Sequence, residues 1–177
     1  MTRIFIAGFG GQGIQFTGKF LAYAGMLKGL EVSQMPSYGP ESRGGTSNCS
    51  VILSKTPIGS PVVLSPDILI CMNAPSLDKY EDTLPEHGTL YIDSSLITRE
   101  ITAPCAAVHK IPATKLAYDN GLEGLANMVM LGKVIRESAV CDLSLIIEAM
   151  KKVVPERKKD MFDGNMKAVD IGLHYAS

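Results

Sequence analysis

No two of the four cysteines, Cys49, Cys71, Cys105 and Cys141, stand close enough to form a CxxC pair. Iron–sulfur and structural zinc sites are normally built on such paired thiolates, so neither is expected on this chain. Isolated cysteines in apolar surroundings read instead as reduced core residues of a cytoplasmic protein. No apolar run approaches the roughly 18 residues that a membrane span needs, and the first residues, with one arginine and a short apolar run leading straight into glycines, lack the layout of a secretory signal. An excess of one charge is missing too. The 17 Lys and Arg residues meet 18 Asp and Glu, a net charge of −1, which gives no global field for nucleic acid or an anionic membrane. Ser-His-Asp, Cys-His and metal-ligand groupings cannot be assembled from spacing. His87 lies in a Glu-His-Gly turn and reads as solvent-exposed; His109 and His174 read as structural. Repeats, low-complexity tracts and linkers are absent as well.

What is present is a 177-residue chain with 46% hydrophobic and 20% charged residues, enough for one domain with a full three-layer core. Residues 3–7 contain the continuous apolar run Ile4-Phe5-Ile6, as a buried parallel strand would. A glycine turn follows, then a helix predicted over 13–28, with Gly18, Ala22 and Gly25 allowing close approach to a sheet. Strands are predicted at 31–38, 47–54 (Cys49, Val51 and Leu53 on one face), 67–73, 88–94 and 107–111, with a short helix at 76–84. Three prolines and a glycine make 56–66 an extended connection. The last third reads as helical over 124–138, 142–154 with Asp142 as cap, and 160–176 with Met161, Met166, Val169, Gly172 and Leu173 facing one way. Met26, Met128, Met130, Met150, Met161 and Met166 fall mostly at helical spacing and read as core. The fold class is α/β, a Rossmann-like three-layer domain with a mostly parallel sheet and a helical C-terminal third.

Two loops can carry chemistry. Gly8-Phe9-Gly10-Gly11-Gln12-Gly13 fits the GxGxxG dinucleotide fingerprint between a strand and a helix. Gly8 permits a tight turn, Gly10 lets backbone reach a phosphate, and Gly13 allows close packing of the helix; the free N–H groups at the helix start then attract an anion. Gln12 adds an amide that can donate to a phosphate or hold a neighbouring loop. A nicotinamide site would add an acidic residue at the end of the second strand for the ribose. That position holds Pro36, Ser37 and Tyr38, and Glu31 is at the wrong end. The second loop is Ser37-Tyr38-Gly39-Pro40-Glu41-Ser42-Arg43-Gly44-Gly45-Thr46. Arg43 between glycines can reach a phosphate or carboxylate with a bidentate fork, and Glu41 can lock it in place. Each loop also has a plainer reading, a turn shaped for packing or an ordinary surface loop. The basic group Lys151, Lys152, Arg157, Lys158 and Lys159 around Pro155 reads as a solvated helix end, or as a docking patch for an acidic partner.

Taken together, Gly8 to Gly13, Tyr38 to Gly45, Ile58-Gly59-Ser60-Pro61, Asp67 to Ile70, Asn127 to Gly132, and Asn165 through Ala168 to Gly172 resemble the gamma subunit of the 2-oxoacid:ferredoxin oxidoreductases over nearly the whole chain. The resemblance implies a subunit of a complex that oxidatively decarboxylates a 2-oxoacid to an acyl-CoA and passes electrons to ferredoxin. It places thiamine diphosphate between alpha and beta subunits, and the iron–sulfur clusters on beta or on a ferredoxin-like delta subunit. It associates the gamma piece with coenzyme A. On that reading Gly8, Gly10, Gly11, Gln12 and Gly13 take the CoA pyrophosphate, while Ser42, Arg43, Gly44 and Gly45 reach its ribose phosphate; this chain itself supplies no catalytic residue. The stretch before Arg43-Gly44-Gly45 is more similar to the 2-oxoglutarate and branched-chain enzymes than to the indolepyruvate ones, and points to 2-oxoglutarate. An isolated chain can also pair as a homodimer. The alternatives are a purely structural subunit of the same complex and a free-standing nicotinamide or flavin protein.

Overall fold

The computed structural model describes residues 1–39, 45–138, 140–154 and 159–176. Six strands, β1 (Thr2–Phe9), β2 (Glu31–Tyr38), β3 (Thr46–Ser54), β4 (Ile68–Cys71), β5 (Thr89–Asp93) and β6 (Ala107–Ile111), form one sheet in the order β2-β3-β1-β4-β5-β6. β1, β4, β5 and β6 pair in parallel; β3 is antiparallel to both β1 and β2. Five strands therefore point one way, and β3 alone runs against them. The mostly parallel α/β sheet is as expected. The insertion of β3 is not a feature of the sequence pattern: β3 folds back on β2 as a hairpin, then takes the edge of β1 that β2 would otherwise occupy.

Two apolar layers flank the sheet, because alternate strand residues face opposite ways. Ile68 and Ile70 of β4 join the larger cluster, with Ile4, Ile6, Val51 and Tyr91; Leu69 and Cys71 join the smaller one, with Leu90 and Ile92. The larger side is covered by α1 (Ile14–Leu27), α4 (Ala126–Ser138) and α5 (Leu143–Val153), with α6 (Lys159–His174) packed on α4. The other side is covered by α2 (Ala74–Tyr80) and the 3-10 turn Glu81–Thr83. α1 lies close on β3, where a Cβ at Gly18 would strike Cys49 and one at Gly25 would strike Leu53. α4 is buried from Asn127 to Ile135, with backbone packed on backbone where Gly132 meets Val169 and Gly172 meets Val129.

Several local expectations change. A helix α3 (Ala113–Asp119) was not legible, because its short segment is started from a distance. Buried Asp93, at the end of β5, accepts from Thr114 N at 3.0 Å and from Thr114 Oγ1 at 2.5 Å. Asp142 occupies the N-cap of α5, but its side chain makes no capping bond; its carbonyl carries the start of the helix by accepting from Leu145 N. Met26 (60% exposed) and Met161 (41% exposed) stand in terminal turns of α1 and α6, where a helix has few neighbours, and are not core; Met128, Met130 and Met150 are. Lys151 and Lys152 form the exposed end of α5, while Pro155, Arg157 and Lys158 lie outside the described residues. His109 stacks on Tyr91, with ring centroids 4.8 Å apart. No helix is long and apolar enough to cross a membrane among the described residues.

Candidate functional site at the carboxyl edge of the sheet

β1 and β2 both end at the edge where open α/β sheets hold their ligands, and β3 begins there. The glycine turn after β1 thus meets the loop between β2 and β3. Gly10 N donates to Gly45 O at 2.8 Å, and Gly39 N to Thr46 O at 3.0 Å. Gln15, in the first turn of α1, ties the strand ends together: its Nε2 donates to Ser37 O (3.3 Å), Ser47 Oγ (3.1 Å) and Asn48 O (2.8 Å). Between these parts lies a cleft of about 810 Å³, lined by Phe9, Gly10, Gly11, Gly13, Ile14, Gln15, Phe16, Tyr38, Gly39, Thr46 and Ser47. None of these lining residues is charged.

The candidate residues divide by what their polar groups already do. Gly8 lies within β1 opposite Ser47, where a Cβ would come within 2.7 Å of both Gln12 Oε1 and Ile14 Cδ1; it is a spacing residue. Gly10 has its N–H engaged by Gly45. Gln12 is a brace: its Oε1 accepts from Phe9 N and from Asn73 Nδ2, both at 2.7 Å, and its Nε2 donates to Met72 O at 3.1 Å. Of the two roles open to Gln12, the structure shows the loop-holding one. Gly11 (φ 98°) opens onto free space, and Gly13 (φ 73°) is the left-handed N-cap of α1. Gly13 backs onto Asn127, so the close approach it permits is to α4; Asn127 Nδ2 donates to Gly13 O at 3.3 Å and to Thr17 Oγ1 at 3.1 Å. Gly45 is buried, while Ser42, Arg43 and Gly44 lie outside the described residues.

The N–H groups of Gly11, Gly13, Ile14, Gln15 and Phe16 donate to no described residue. A helix start always leaves such donors unpaired. Here the first turn carries no acidic side chain and the donors border the cleft, so among the described residues the backbone alone favours an anion at this edge. The end of β2 offers Pro36, Ser37 and Tyr38 and no carboxylate, and Glu31 is at the far end of that strand. Gln15 was not picked out from sequence, and Asn127 entered only as the first residue of the Asn127 to Gly132 stretch, with no role assigned to it. Gln15 is a lone polar side chain between Ile14 and Phe16, which is a weak signal; Asn127 is 114 positions from Gly13 and gives none.

A second cavity, of about 700 Å³, lies at the opposite edge and is lined by Tyr91, His109, Glu137, Asp67 and others. Burial there pushes the Tyr91 hydroxyl up to about 12 and lowers His109, so both are neutral at pH 7. This is the amino edge of the parallel strands, away from the Gly8 to Gly13 turn, and the functional reading stays with the carboxyl edge. Among the described residues no three His, Cys, Asp or Glu side chains gather where they could hold a metal ion.

Residues 3–175 match the pyruvate ferredoxin/flavodoxin oxidoreductase family. The chain belongs to that family. It is similar to the ketoisovalerate oxidoreductase subunit VorA of Methanothermobacter thermautotrophicus, with 37% identity over 175 residues, 98% of this chain but 36% of that protein. The chain therefore spans about a third of the length of that relative. It is also similar to the 2-oxoglutarate synthase subunit KorC of Methanocaldococcus jannaschii, 38% identical over 157 residues, 87% of this chain and 84% of that one. Among solved structures it matches the gamma subunit of a keto/oxoacid ferredoxin oxidoreductase from Geobacter sulfurreducens, with a TM-score of 0.82, 29% identity, and coverage of 97% of this chain and 96% of that one. It shares its fold with part of the 2-oxoglutarate:ferredoxin oxidoreductase of Magnetococcus marinus, at a TM-score of 0.86 and 21% identity, over 97% of this chain and 30% of that one. The relatives with these names are subunits of 2-oxoacid oxidoreductases.

Proposed function

We propose that this chain is the gamma subunit of a 2-oxoacid:ferredoxin oxidoreductase and that its carboxyl-edge cleft helps to hold coenzyme A. The observation that carries the CoA reading is the set of N–H groups of Gly11, Gly13, Ile14, Gln15 and Phe16, which donate to no described residue and border a cleft whose described lining has no carboxylate. A pyrophosphate satisfies those donors, and a polyanion meets no repulsion from the described lining. The absent ribose carboxylate at the end of β2 argues against a nicotinamide dinucleotide. The Magnetococcus enzyme was solved with 2-oxoglutarate, coenzyme A and succinyl-CoA bound.

On this reading thiamine diphosphate and the iron–sulfur clusters reside on alpha, beta and delta partners in the cytoplasm, and supply the decarboxylation and electron transfer. The work of this chain is to bind and orient. Gln12 and Asn127 hold the glycine turn rigid from two sides, so the N–H row needs no rearrangement on binding. A CoA anchored by its phosphates has its thiol end confined near the partner subunits, which raises its effective concentration there. On this reading the acid that is oxidised is 2-oxoglutarate, favoured by the Tyr38 to Gly45 stretch; a branched-chain 2-oxoacid is the second candidate, with identities of 38% to KorC and 37% to VorA.

A second reading has its own support. Gly10 and Gln12 are both engaged within the protein, as they would be in a subunit whose loops serve packing alone. The complex purified anaerobically through a tag on this chain separates the two. It should reduce a ferredoxin surrogate in a CoA-dependent way with one 2-oxoacid. Arg43→Ala should raise the KM for CoA and leave bound thiamine unchanged. Weakened assembly of that variant with normal CoA dependence would instead establish the structural role.

A further inference from the structure

Tyr38, the last residue of β2, is 71% exposed at the cleft, and its ring makes no aromatic or cation contact with a described residue. Phe16 lines the same cleft and is held edge-on by the fully buried Phe20, with ring centroids 4.7 Å apart. In a dinucleotide fold the second strand lies one spacing from the first, about 4.8 Å, and its terminal acid meets the ribose. Here β3 intervenes, so the end of β2 stands two spacings from β1, about 10 Å. A nucleotide whose phosphates sit on the open donors of Gly11 and of Gly13 to Phe16, and which extends along this edge, passes its ribose over the start of β3 and its base over the end of β2. The residue found there is aromatic and not acidic. The Oε1 of Gln15 is a buried acceptor with no donor among the described residues. Its Nε2 is anchored to Ser37, Ser47 and Asn48, which fixes the Gln15 side chain against the end of β2 and the start of β3.

We infer that Tyr38 and Phe16 form the adenine platform of this cleft, gripping the base of CoA by its π-face and not by its hydrogen-bonding edge. The inference rests on the CoA reading above and adds the part of the molecule that each side chain takes. Stacking tolerates loss of the phenol hydroxyl but not loss of the ring.

The test uses the purified complex and two probes, 1,N6-etheno-CoA followed by its fluorescence and 4′-phosphopantetheine, which lacks adenosine. Tyr38→Ala should weaken etheno-CoA binding about 5- to 150-fold, the range of one lost base stack, and leave phosphopantetheine unchanged. Tyr38→Phe should bind both probes like the parent. A Tyr38→Ala variant that keeps its etheno-CoA affinity, or loses both probes alike, overturns the platform; so does a Tyr38→Phe variant as weak as the alanine. Gly11→Asp places a carboxylate beside the donor row and keeps the two failures apart. If it weakens both probes while Tyr38→Ala weakens neither, the phosphate cradle stands and the platform falls. If neither variant changes CoA binding, the CoA reading itself falls.

Discussion

Gly13→Ala is the sharpest test of how the glycine turn is held. Two separate costs meet at this residue. Its φ of 73° is left-handed, which adds about 1–2 kcal/mol for a residue with a Cβ. That Cβ would also run into the amide of Asn127, and overpacking of this kind adds about 1–3 kcal/mol. The sum is about 2–5 kcal/mol. Gly11 separates the terms: its φ is 98°, but nothing lies within 4 Å of its Cβ position, so Gly11→Ala carries the backbone cost alone. Asn127→Ala removes the obstacle and gives up the bonds to Gly13 O and Thr17 Oγ1, about 1–2 kcal/mol. The double variant Gly13→Ala/Asn127→Ala should therefore be more stable than the two single losses added together, by about 1–3 kcal/mol. Urea unfolding followed by circular dichroism, with the slopes held comparable, gives all four values. A Gly13→Ala no worse than Gly11→Ala, or a strictly additive double variant, would refute the claim that α4 holds the turn by contact.

Two further outcomes follow from charge and burial. Lys133 is 1% exposed and donates to Glu137 Oε1 at 2.9 Å; this bond holds the Glu137 carboxyl below the usual range against the opposing effect of burial. With the native pKa depressed, the stabilisation is full at neutral pH and is lost as pH falls through that value, below the ordinary 4.5. Glu137→Gln should cost about 1–2 kcal/mol at neutral pH, reduced from a fully buried pair by its partial exposure, and the gap to the parent should close on acidification; a gap that stays constant down to about pH 3 would contradict it. Burial raises all four thiols, that of Cys141 to about 12, but Cys105 alone is only partly covered and so reachable by a reagent. Iodoacetamide at about pH 8 should label Cys105 first and the other three only on unfolding, as read by peptide mass spectrometry; early labelling of Cys49 or Cys141 in the folded protein would be inconsistent with the packing of α1 and α5.

Much of the site was legible because its signals are local. A glycine turn between an apolar strand and a helix specifies both the backbone and the open donors, and Pro36-Ser37-Tyr38 shows directly that the ribose acid is missing. The assignment of roles within the turn was not legible. Nothing near Gln12 indicates that Met72 and Asn73 will engage its amide, or near Gly10 that Gly45 will take its N–H. Those partners arrive with the neighbouring strand and loop. Helix α3 escaped for a related reason, since its anchor is Asp93 and not a cap of its own.

The sequence by itself determined the elements, the alternation of buried and exposed strand residues, and the absence of a carboxylate or paired thiolates where other chemistries would need them. These are short-range properties, set by side-chain size, polarity and backbone freedom at each position. Tertiary structure decided the order of the strands. Placing β3 between β1 and β2 brings the two loops together through Gly10 and Gly45, sets Asn127 behind Gly13, and moves Tyr38 one strand further from the open donors at the start of α1. A register of that kind depends on which sheet edge and which helix face bury the most apolar surface together, and no window of the sequence contains it.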